Sequence, residues 1–153
     1  MPDMALAAIQ NKADQMTQHL VNQAVKATFF SYTFKTASAV ASGGTFSGSL
    51  QISADADFLV LYQNFTVYDP TAGDLDLNPT FTVQIQDTGS STNFFNQETP
   101  VDGVFGDGIR PFLLPLPRLI ARNSSLTITG TNLASTNAET LYLEFIGMKL
   151  YPQ

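Results

Sequence analysis

One histidine, no cysteine and thirteen carboxylates are the chemical resources of this 153-residue chain. A nucleophilic triad would have to use His19 as its base, because imidazole is the group such sites share. His19 falls in a glutamine-rich helical stretch, away from the strand-rich remainder, so a solvated helix histidine is expected there. One histidine without cysteine leaves zinc only carboxylates, which is not a ligand set that holds it. Neither a GxxxxGK[ST] phosphate loop nor a GxGxxG in strand–helix context occurs.

The richest oxygen cluster is "DPTAGDLDLNP", with Asp69, Asp74, Asp76 and Asn78. Asp74, Asp76 and Asn78 match the D-x-D-x-N opening of an EF-hand loop. Pro79 then stands where the sharp turn needs glycine, and Ile85 where the bidentate glutamate belongs. The stretch is therefore read as a turn whose Asp and Asn side chains bond the local backbone. No metal or other cofactor is expected, and these four residues are the one residual candidate for calcium. A glycosidase pair could be drawn from Asp55, Asp57, Glu98, Asp102 and Asp107. Each adjoins a Gly, Ala or Thr turn signal, so solvated loop charges are expected instead. The sequons at Asn64 and Asn123 arise readily in a chain so rich in Asn, Ser and Thr. No enzyme is expected.

Bulk composition narrows the classes further. Charged residues are 13% of the chain, against roughly a quarter in an average domain. The net charge of −6, with only seven scattered Lys and Arg, argues against a nucleic-acid surface. The N-terminus lacks a basic segment followed by an apolar one, so no secretory signal is expected. No run approaches the length of a membrane helix.

Two elements of unequal size must position whatever the chain uses. Ile9, Ala13, Met16, Leu20 and Ala24 recur at helical spacing, and Pro2 and Asp3 suit a helix start. Residues 1–27 thus form an α-helical arm, thin and Ala-rich, that must dock on its own domain or on another subunit. From 28 to 153 the period is two. "FFSYTFKT", "GTFSGSLQIS", "FLVLYQNFTVYD", "TFTVQIQDT", "SLTITGTN" and "TLYLEFIGMKLY" read as strands. The third is apolar on both faces, as a central strand is. Further strands are expected near 93–97, 103–105 and 111–121, with turn-rich connections between them. The fold class is all-β: a jelly-roll sandwich of about eight antiparallel strands behind the helical arm. An immunoglobulin-like sandwich is the nearest competitor, but its Cys–Trp–Cys core is absent.

Most of the twelve phenylalanines fall at inward strand positions and serve the core. Tyr62, Tyr68, Tyr142 and Tyr151 are the expected surface rings. Phe94, Phe95 and Phe105 fall in expected loops and are candidates for subunit contact. The segment "RPFLLPLPRLIARNSS" adds Leu113, Leu114, Leu116 and Leu119, interleaved with Pro111, Pro115 and Pro117. Prolines cannot donate to a ladder, so this segment belongs to an edge or a crossing, and its leucines suit an oligomer seam.

The C-terminal third, "PFLLPLPRLIARNSSLTITGTNL…ETLYLEFIGMKLYPQ", resembles the end of head structural proteins of tailed bacteriophages. The matching positions are Arg122, Asn123, Ser124, Leu126, Ile128 and Asn132, then Leu143, Phe145, Gly147, Lys149, Leu150 and Tyr151. Such proteins include jelly-roll cement or decoration proteins that bind the capsid shell as dimers or trimers. The resemblance implies a non-enzymatic virion structural protein, made in the host cytoplasm and bound to the capsid surface. Its partners would be the major capsid protein and itself, a homotrimer ahead of a homodimer, with no nucleic acid and no membrane. Ile9, Met16 and Leu20 of the arm would do the capsid docking. The competing class is a glycan-binding or adhesin-type sandwich of a phage fibre or cell surface, with a shallow Tyr and Asp site.

Overall fold

The computed structural model describes residues 2–153, with side chains from Met4 onward; the side chains of residues 2 and 3, expected at the helix start, lie outside the described residues. A long helix, α1 (Pro2–Gln23), leads into β1 (Lys26–Lys35), β2 (Thr45–Gln51) and β3 (Asp57–Asp69). Short β4 (Asp74–Leu75) precedes β5 (Phe81–Asp87), and the pieces β6 (Thr92–Asn93) and β7 (Thr99–Pro100) follow it. One turn of helix, α2 (Val101–Val104), leads to β8 (Phe112–Ile120), β9 (Ser125–Asn132) and β10 (Thr140–Tyr151).

All the strand pairs are antiparallel and they nest. β1 pairs β10, β2 pairs β9, β3 pairs β8, and β5 pairs the broken edge β6/β7. The chain is thus one long hairpin rolled on itself, which is the jelly roll expected from the strand spacing. Rolling makes two sheets. The first runs β1-β10-β3, with β8 and β4 sharing the far edge of β3; the second runs β2-β9-β5, with β6 and β7 on the far edge of β5.

Period-two side chains fill the space between the sheets. Phe58, Val60, Leu141, Leu143 and Phe145 come from the first sheet, and Phe81, Val83, Ile85, Leu126 and Ile128 from the second, all fully or almost fully buried. Tyr32 meets Phe58 edge-on at 4.8 Å between ring centres, and Phe105 meets Phe145 at 5.8 Å. Within the sheets, two glycines make room for close approaches. A methyl group on Gly147 would run into the Leu59 carbonyl of β3, where β3 carries an extra residue against β10. One on Gly130 would meet the Thr82 carbonyl and the Phe46 ring.

The expected strand at 103–105 is instead α2 and the residue after it. Pro100 breaks the ladder, and the Phe105 amide closes a helical turn on the Val101 carbonyl at 2.9 Å. That turn sends Phe105 inward. The prolines of β8 act as their chemistry requires: β8 is an edge strand, and between Leu113 and Arg118 it leaves the ladder opposite Leu61.

Phe145→Ala should cost about 3–5 kcal/mol by emptying the centre of the core. Gly147→Ala should cost at least a few kcal/mol, because backbone and not a flexible side chain opposes the methyl. Both are read as lowered denaturation midpoints at unchanged m-value.

Candidate functional site

Strand register assigns each outward residue to a row. On the second sheet the outer rows are Thr45–Thr131–Thr82, Ser47–Thr129–Gln84 and Ser49–Thr127–Gln86, followed by Gln51 and Ser125. These rows carry only hydroxyl and amide side chains, and the Glu98 carboxylate lies across Thr82 and Thr131. On the first sheet the rows read Phe29–Met148–Leu59–Leu119 and Ser31–Ile146–Tyr62–Leu113. The next outward rows, Thr33–Glu144–Asn64 and Lys35–Tyr142–Thr66, are polar, so the apolar groups gather on the part of this face nearer α1 and β8.

Part of the apolar face is covered by the chain itself. α1 packs on β8, presenting Ala13, Met16, Thr17, Leu20 and Val21 as its more buried side. Leu20 lines a groove with Leu119, Leu150 and Tyr151. Leu59 and Leu150 are buried although they stand outside the core between the sheets. The helix is thus docked on its own domain, one of the two expected ways, with Met16 and Leu20 half-buried there. Ile9 remains exposed, with Met4 and Leu6 each 67% accessible beyond it. His19 lies on the solvent side, among Gln–Asp, Gln–Asn pairs four residues apart.

The remaining contact candidates divide. Leu113 and Leu116 are 45% and 47% exposed, and Leu119 borders the helix groove. Leu114 turns toward the core. Phe105 is corrected outright, being 2% exposed and edge-on to Phe145. Phe94 and Phe95 are half-buried against the core, and the Arg118 guanidinium covers the Phe94 ring at 3.9 Å. Burial pulls the Arg118 pKa down, opposed by the charge of Asp87. The most exposed ring named among the described residues is one outside the expected set: Phe29, 77% accessible, is the outward neighbour of Phe30, Tyr32 and Phe34. Period two already put it there.

The carboxylates named for catalysis each hold a structural bond or stand alone. Asp55 binds Lys149 at 3.1 Å, Asp57 accepts the Arg122 amide, and Glu98 accepts the Thr82 and Thr131 hydroxyls. Asp107 accepts two amides of its own turn, and Asp102 borders the same cleft. Lys149 is buried under Phe30 and Tyr32. Burial works against its charge, but the Asp55 hydrogen bond and the nearby negative groups outweigh it and raise its pKa. Hydrogen bonds from Ser53 and Lys149 hold Asp55 below the usual carboxylate range.

The turn at 69–78 uses its acids as the sequence suggests. Asp69 accepts the Thr71 and Ala72 amides, Asp74 that of Leu75, and Asp76 that of Asn78. Bonds from Ala72, Thr71 and Asn137 hold the Asp69 pKa down against a partial burial cost. Among the described residues no three His or carboxylate side chains form a ready metal cluster. One neighbour was invisible in the loop itself. Glu139, just before β10, is 3% exposed and faces Asp76, and burial first, then Asp76, pushes its pKa up to about 7.

No protein-family model matches the chain, and no curated protein matches its sequence. Among solved structures, a chain of the cyanophage Pam1 capsid asymmetric unit is similar with a TM-score of 0.46 and 17% identity, over 82% of this chain and 85% of that one. The core of Drosophila NLP, solved for its pentamer formation and histone binding, is similar at 0.38 and 14%, over 84% and 100%.

The raised Glu139 carboxyl has a pH signature. Between its ordinary value near 4.5 and about 7, the native state keeps a proton that the unfolded chain has released. Stability should therefore fall as pH rises through that window. In metal-free buffer, Glu139→Gln should flatten the change in melting temperature between about pH 5 and about pH 7.5.

Proposed function

We propose that this chain is a non-enzymatic structural protein of a phage virion, which self-associates and binds the capsid surface as a cement or decoration protein. The observation that carries the reading is the apolar patch that α1 leaves exposed on the outer face of the first sheet. A sandwich that lived alone in water would gain from polar residues on both outer faces. Here the Thr, Ser and Gln face suits solvent, and the exposed Phe29, Tyr62, Leu113 and Leu116 of the other face suit a protein partner. The resemblance of residues 111–151 to phage head structural proteins supplies the kind of assembly.

Leu113, Leu116 and Phe29 are then the self-association surface, with a trimer expected ahead of a dimer. The exposed half of α1, with Met4, Leu6 and Ile9, reaches toward the capsid. The β-domain serves as the rigid body to which the docked half of the helix is fixed. A protein that binds only the assembled shell stabilises it by its binding free energy, and several weak sites on one oligomer add through multivalency.

The glycan-binding alternative needs exposed ring faces. Lys35 and Lys26 lie over the rings of Tyr142 and Tyr151, at 5.5 Å each, which leaves Tyr62 and Tyr68.

Light scattering on the eluting protein should give an oligomer, and Leu113→Asp with Leu116→Asp should give a folded monomer. Leu6→Asp with Ile9→Asp should leave the oligomer intact and abolish co-sedimentation with capsids of the virus that carries the gene. A wild-type monomer that ignores capsids but binds a glycan array would replace this reading with the alternative.

A further inference from the structure

We propose that Asp76 and Glu139 form, with the neutral oxygens around them, a binding site for a hard divalent cation, calcium. Both residues line a cavity of about 360 Å³, together with Asn78, Thr80, Ser135 and Asn137. They come from different connections: Asp76 from the turn between β4 and β5, Glu139 from the end of the β9–β10 link. The site is therefore made by the fold and not by one acidic loop.

Glu139 points to a ligand independently of that cluster. The residue is 3% exposed, and among the described residues its buried Oε2 atom has no hydrogen-bond partner. An unpartnered carboxylate oxygen out of water is costly, and a facing carboxylate makes it costlier. Asp76 commits Oδ1 to the Asn78 amide, and its other oxygen has no bond within the described residues. Asp69 stands behind the pair, adding negative charge while Thr71, Ala72 and Asn137 occupy its own oxygens.

Two species can neutralise such a pair. A shared proton does so near neutrality, in keeping with the raised Glu139 carboxyl. A hard cation does so at higher pH and uses the amide, hydroxyl and carbonyl oxygens as well. Calcium tolerates an irregular shell of six to eight oxygens, whereas magnesium demands a near-octahedral one. The unequal donors here fit calcium. Two carboxylates, rather than four, place its affinity in the weak range of about 10⁻⁴–10⁻³ M.

Bound there, calcium would tie the turn after β4 to the link before β10. The proposal stands apart from the virion reading.

The test uses the full chain, stripped of metal, at about pH 8, where the shared proton has largely left. Titration calorimetry with CaCl₂ should show one saturable site per chain at about 10⁻⁴–10⁻³ M, with MgCl₂ binding more weakly, and the melting temperature should rise with calcium. Glu139→Gln should keep the wild-type near-UV spectrum and bind calcium at least about tenfold more weakly. It should also melt higher than the wild type in the absence of metal. Absence of calcium binding to the wild type, or a smaller loss in the variant, overturns the proposal. Ser53→Ala, remote from the cavity, should respond to calcium as the wild type does.

Discussion

β10 is held between β1 and β3 along nearly its whole length, and its inward row sets the geometry of both sheets. Leu141, Leu143 and Phe145 fill the core, Gly147 lets the β3 backbone close in, and Lys149 closes the open end under two rings. Slipping this strand by one residue would exchange that row for Tyr142, Glu144, Ile146 and Met148. No neighbouring surface could take Glu144 into the core. The register of the central strand is therefore fixed by its composition, and the nested pairs outside it inherit their alignment.

The same arrangement gives a physical meaning to the residues that resemble phage head proteins. Asn123 adopts a left-handed backbone, φ 60°, in the turn from β8 into β9, a conformation asparagine tolerates better than most residues. Ser124 closes that turn by donating to the Ala121 carbonyl. Asn132 is fully buried and gives two bonds from its amide, to the Val40 and Asn137 carbonyls, while its oxygen accepts the Ala134 amide. Gly147 and Lys149 serve the central strand. These positions shape the turns and the core of a jelly roll. They bear on the kind of scaffold, and the outward residues bear on what it touches.

That division explains which parts of the molecule were legible. Strands with clean alternation, such as Ser125–Asn132, are found at the expected residues because one face is buried and the other wet. Phe105 was misplaced because a single helical turn, α2, reverses its side without leaving a periodic trace. Met16 and Leu20 were legible as an apolar stripe, but a stripe states only that it must be covered. Whether its own sheet or another subunit covers it depends on where β8 lies in space. Glu139 was illegible for the same reason: it meets Asp76 across sixty-three positions of chain, through a link between two strands.

The two ends of β10 also treat buried charge in opposite ways. At one end Lys149 is buried but answered within the chain, by Asp55 and by the faces of Phe30 and Tyr32. Its ionised form is the stable one, and nothing from outside is required. At the other end Glu139 is buried beside a charge of its own sign, and no Lys, Arg or His forms an ion pair with it among the described residues. A fold rarely retains an uncompensated buried carboxylate, because the desolvation penalty falls on every molecule. Neutralisation there has to come from solution, as a proton or a cation. Lys149 is thus neutralised within the chain, whereas the Glu139 carboxyl is left to a proton or a cation.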